Sequence, residues 1–135
     1  MENPKDGDIM SGGICYVLGS VAVPVVSVIC GLILWKATPP LNAFFGYRSR
    51  RSRQSELSWG FAQKTAGRLF VAVFAPVALA SLSAGTIADK NLNADGKYWA
   101  LIGLVALQTA VMALINLQVE RRLKLTFDEN GEPRG

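Results

Sequence analysis

The sequence contains no histidine and only two cysteines, Cys15 and Cys30. Without histidine it lacks the side chain most often used as a general base near neutral pH, which is also the commonest metal ligand. The two cysteines fall in one apolar stretch, about 22 Å apart along a helix axis at the usual rise, so they cannot bond to each other. They read as small apolar packing residues. Carboxylates are missing from the long apolar stretches, which removes the paired acids expected of a proton pump or an intramembrane acid–base enzyme. No activated nucleophile stands out. The chain is therefore not expected to be an enzyme, and no catalytic residue, cofactor or metal site is assigned.

Half of the 135 residues are apolar, and they are concentrated in three runs without a single charge: Ile14–Trp35, Leu69–Ala88 and Tyr98–Val119. Crossing a bilayer core takes about 20 apolar residues in a helix, and backbone groups cannot stay unpaired in hydrocarbon. The expectation is an all-α membrane protein: one integral domain over 1–135, spans at about 14–35, 69–88 and 98–119, and a loop over 36–68. A signal peptide fits the first run badly. The segment before it carries Glu2, Asp6 and Asp8 against Lys5 alone, where a signal peptide begins positive and has a shorter apolar stretch.

Basic residues are distributed unevenly. The loop over 36–68 and the tail after Val119 hold eleven of the fourteen Lys and Arg; the other three are Lys5, Lys90 and Lys97. The positive-inside rule then places the N-terminus outside and the C-terminus in the cytoplasm. Trp35, Tyr98 and Trp99 stand at run ends, where interfacial aromatics belong. The net charge of +4 is read as a topology signal, and nucleic-acid binding is not expected.

Within the spans, Pro24 and Pro76 each remove a backbone hydrogen bond, and Pro24 is expected to bend the first helix. Small residues recur at helical spacing: Ser27 and Gly31 in the first run, Ala78, Ser81, Ala84 and Gly85 in the second, Ala106, Ala110 and Ala113 in the third. Such faces let helices approach closely, within one bundle or against another copy. Gln108 lies near the midplane and Asn116 two turns further. Amides at these depths need partners, so both are expected to face protein.

The loop is the most informative stretch. Pro39 and Pro40 stop the first helix. Asn42 to Tyr47 mixes aromatics with Gly46, as in a tight turn. Ser55 followed by Glu56 fits a helix start, with a hydroxyl cap and an acid in the first turn. Trp59, Ala62, Ala66 and Leu69 then recur at helical spacing. This short amphipathic helix either lies on the inner membrane surface or runs straight into the second span. Arg48, Arg50, Arg51 and Arg53 suit anionic lipid headgroups, at about 1 kcal/mol each near the surface. The site candidates are Asn42, Gly46, Tyr47, Arg48, Ser55, Glu56, Trp59, Gln63 and Gly67. Of these, Asn42, Tyr47, Arg48, Trp59 and Gln63 are expected to form one folded cluster, with Asn116 and Glu120 within reach of Arg48.

Pro39-Pro40, Asn42, Gly46-Tyr47-Arg48, Ser55-Glu56, Trp59 and Gly67 together resemble the signature of the SdpI family of small bacterial membrane proteins. Ser49 replaces the usual threonine, and Arg50 stands where proline is common. The resemblance implies a multi-span protein of the cytoplasmic membrane, and the family's namesake confers immunity to a secreted peptide toxin and takes part in signalling. The partners so implied are a peptide toxin or another membrane protein. The small-residue faces also leave a homo-oligomer open. A small accessory subunit of a larger membrane complex is the alternative role.

Overall fold

The computed structural model of the chain describes residues 4–42 and 44–135, with side chains from residue 12 onward. Among the described residues there are three helices: α1 (Pro4–Lys36), α2 (Glu56–Asn91) and α3 (Ala94–Thr126). Each contains a stretch long and apolar enough to cross a membrane. The helices are longer than the charge-free runs. α2 has 36 residues, about 54 Å against a hydrocarbon core of about 30 Å. Its extra length is mostly at the start, residues 56–67, beside the loop.

That start is not a separate surface helix. Residues 56–67 and the second span form one unbroken helix. Trp59, Ala62, Gln63, Ala66 and Gly67 are all buried within the protein, so the stripe that looked suited to a membrane surface faces the bundle and its loop. No proline or capping residue interrupts the helix between Gly67 and Leu69, so nothing there breaks it.

α1 and α2 run antiparallel in close contact. A Cβ on Gly67 would lie 2.6 Å from the Trp35 amide nitrogen, and one on Gly31 would lie 2.8 Å from Phe70 Cβ. The two backbones therefore meet at Gly31 and Gly67, the close approach that small residues permit. Further along, Gly85 lies against Ser20, and Gly13 against Asp89. α3 is held by fewer residues; Gln108, Ile115, Val119 and Leu123 are the ones it buries. Its alanine stripe, Ala106, Ala110 and Ala113, is exposed, as is Ala84 on α2, so these do not pack inside the bundle. On α2 the small residues that are buried are Ser81 and Gly85.

The apolar core begins mid-bundle and continues to the loop end through Phe74, Ile115, Ala66, Val119, Ala62, Leu123 and Phe127. The opposite end is a short turn. Leu92 ends α2, and Asn93 caps α3 by accepting from the Gly96 amide at 2.9 Å. Lys97 and Asp89 pair across it at 2.6 Å.

Candidate functional site

The loop end carries most of the polar order. α1 stops at Lys36, before the prolines; the Thr38 hydroxyl closes its last turn by donating to the Leu34 carbonyl at 3.0 Å. The Asn42 side chain then shapes a turn. Its oxygen accepts from the Phe44 and Phe45 amides, both at 2.8 Å, and its nitrogen donates to the Pro40 carbonyl at 2.7 Å. A side-chain amide that satisfies three backbone groups substitutes for regular secondary structure.

Gly46 follows with φ +118°, a backbone region that disfavours side chains. A Cβ there would sit 2.7 Å from Gln63 Oε1 and 3.2 Å from the Trp59 ring. The space is closed because Gln63 clamps the next residue: its Oε1 accepts from the Tyr47 amide at 2.7 Å and its Nε2 donates to the Tyr47 carbonyl at 2.8 Å. One turn earlier on α2, Trp59 Nε1 donates to the Pro39 carbonyl at 2.8 Å. The one-turn spacing predicted a shared face for these two side chains, and from it both grip the loop.

The Tyr47 side chain reaches α3. Its hydroxyl lies 3.1 Å from the Asn116 carbonyl oxygen and 3.4 Å from Glu120 Oε2. Burial and the Glu120 carboxylate, in that order, push its pKa from 10.0 up to about 12, so it remains a neutral donor. Glu120 is completed by Arg51, whose Nε lies 3.6 Å from Oε1. This differs from the sequence-based expectation. Among the described residues, Arg48 makes no hydrogen bond or ion pair and is exposed; Tyr47 and Arg51 occupy the place proposed for it. Asn116 also differs: it is exposed, and its backbone carbonyl, rather than its amide, meets the loop.

Ser55 caps α2 in a reciprocal box with Ser58 (3.0 and 3.1 Å), and Glu56 is the acid of the first turn. The Ser55 hydroxyl also donates to the Gly131 carbonyl at 2.6 Å, and Gln54 donates to the Glu129 carbonyl. These partners belong to a C-terminal hairpin that the sequence reading missed. Phe127 pairs with Pro133 across it. Asp128 N donates to the Glu132 carbonyl at 2.9 Å, and Gly131 turns the chain with φ +80°. The Asp128 carboxylate accepts from the Glu132 and Asn130 amides, which hold its pKa below the ordinary carboxylate value. Phe127 is buried, edge-on to Phe61 at 5.5 Å. The signal available was Asp128 followed by Asn130-Gly131, a turn sequence after the last helix.

Deep in the bundle, Gln108 is 1 % exposed. Its Nε2 donates to the Ser20 carbonyl at 3.0 Å and to Ser81 Oγ at 2.9 Å, so it faces protein as expected. Ser20 is four residues before Pro24, the proline that leaves that carbonyl without its helical donor. α3 supplies the missing hydrogen bond and joins all three helices at one point.

Three apolar helices with a folded polar cap at one end define a multi-pass membrane protein. Its particular kind comes from the sequence comparison: the chain matches the model of the SdpI/YfhL protein family over residues 38–117 and belongs to that family. Comparisons with curated proteins and with solved structures found no match. The matched segment starts at Thr38, just after α1, and takes in the loop, all of α2 and most of α3.

Proposed function

We propose that the protein protects its bacterial host against a membrane-active peptide toxin, with its N-terminus outside and the loop and C-terminal hairpin in the cytoplasm. The observation that carries this reading is membership of the SdpI/YfhL family across the loop, α2 and α3. The cap supports it in a second way. Asn42, Gly46, Tyr47, Trp59 and Gln63 order a loop that would otherwise be mobile, and Ser55 and Glu120 join it to the hairpin and α3. A toxin lodged against the helices changes their separation at the bundle end, and this joined cap passes the change to the cytoplasmic surface, where a soluble partner is bound or released.

The test is expression in a bacterium that lacks immunity proteins of its own, followed by challenge with a panel of membrane-inserting peptide toxins. Protection appears as a raised killing threshold for at least one toxin, lost in Gly46→Ala at equal protein level. An unchanged threshold for every toxin contradicts the reading. The accessory-subunit alternative is favoured by the few residues α3 buries, because a larger complex would cover the rest. It predicts a stable partner in mild-detergent purification and no change in toxin sensitivity.

A further inference from the structure

α1 and α3 touch each other least, and a groove runs between them. Its lower part is an apolar cavity of about 340 Å³ lined by Ala22, Val23, Val26, Ser27 and Met112. A second cavity, of about 590 Å³, lies in line with it toward the loop, with Cys30, Leu34, Phe70 and Asn116 at its foot. Val26 to Cys30 and Met112 to Asn116 are both one-turn steps, so the two cavities share the same helix faces. The α1 residues that line the two cavities, Ala22 to Leu34, span about 18 Å along the helix.

The chemistry changes at the upper end. Gly46, Tyr47, Arg48 and Ser49 form the rim, flanked by Phe44 and Phe45. Phe44 is 93 % exposed. Arg48 and the Asn116 side chain are exposed donors without a hydrogen-bond partner among the described residues. At this level Lys36 lies over the Trp35 ring at 4.2 Å and Arg68 at 5.8 Å, the pairing of amphipathic anchors at a headgroup interface. The neighbouring Arg51 is turned away to Glu120, so Arg48 is the guanidinium left free at the groove.

We propose that this groove is a binding site for one anionic phospholipid, its phosphate at Arg48 and Asn116 and one acyl chain lying along α1 past Cys30 and Val26. A free anion would use only the rim, and an uncharged lipid only the groove; the site presents both. The proposal is independent of toxin immunity.

The test is native mass spectrometry of the protein released from micelles containing equal amounts of phosphatidylglycerol and phosphatidylcholine. Phosphatidylglycerol should be retained at least fivefold more, the ratio expected of one basic residue near an anionic surface. Arg48→Gln, which removes no contact within the protein, should abolish that preference. Val26→Trp should block the groove and reduce retention of phosphatidylglycerol with Arg48 intact. Arg122→Gln, an exposed basic position on α3 that lines neither cavity, should change retention less than twofold. Equal losses in Arg48→Gln and Arg122→Gln would mean a diffuse basic surface and overturn the site. So would equal retention of the two lipids, full retention in Val26→Trp, or inorganic phosphate competing as well as phosphatidylglycerol.

Discussion

At the scale of single residues, the loop depends on a few side chains that satisfy backbone groups. Gln63 is the clearest case, because both ends of its amide are used on Tyr47. Gly46→Ala would place a methyl group against that amide in a conformation that costs about 1–3 kcal/mol, and thermal unfolding in detergent should show a loss of that order. An unchanged midpoint would mean the loop does not hold this shape. Tyr47 gives a pH signature. Its folded pKa is raised from 10.0 to about 12, so its contribution to stability is complete below pH 10 and is lost as pH rises through 12. The phenolate absorbance that disappears in Tyr47→Phe should titrate near pH 12. A midpoint near 10 would mean the hydroxyl is not shielded against α3. Gly46, Trp59 and Gln63 were legible in the sequence because spacing alone aligns the last two and only glycine suits such a turn. The choice of Arg51 over Arg48 for Glu120 was not legible. Four arginines in six positions look alike until the Ser49–Ser52 turn, with its 2.9 and 3.1 Å exchanges, fixes which one points at α3.

At the scale of helices, the three spans were legible because the bilayer demands length and apolarity, and the runs supply both. The continuity of α2 was undecided from sequence, since a surface helix and the buried end of a long helix carry the same stripe; burial of Trp59 and Ala62 decides it. The alanine stripe of α3 misled for a related reason: small residues permit close approach but do not compel it. What does hold α3 at mid-depth is the hydrogen bond from Gln108 to the carbonyl freed by Pro24. Gln108→Leu should lower stability by about 0.6 kcal/mol, and by no more than about 1.7, the range found for hydrogen bonds between membrane helices. In a Pro24→Ala background the residue-24 amide can reclaim the Ser20 carbonyl, so the same Gln108→Leu change should cost measurably less. Equal losses in both backgrounds would show that proline and glutamine are not coupled.

At the scale of the whole molecule, the two ends of the bundle differ in kind. One is a tight turn held by Asn93 and the Lys97–Asp89 pair. The other is a cap in which the loop, the start of α2, the end of α3 and the C-terminal hairpin share hydrogen bonds. Sequence reading placed the loop and tail on one side through their basic residues. It did not show that the tail folds onto the α2 cap, because contacts 76 residues apart in the chain, such as Ser55 to Gly131, leave no local pattern. The proposed architecture is three spans, with loop and tail together in the cytoplasm. It is tested most directly by a reporter active only outside the cytoplasm, placed in turn after Gly135 and in the Leu92–Asn93 turn, at matched expression. Three spans with the N-terminus outside predict silence at Gly135 and activity at the turn. The reverse pattern would contradict the orientation, and the same signal at both sites would contradict the third span itself.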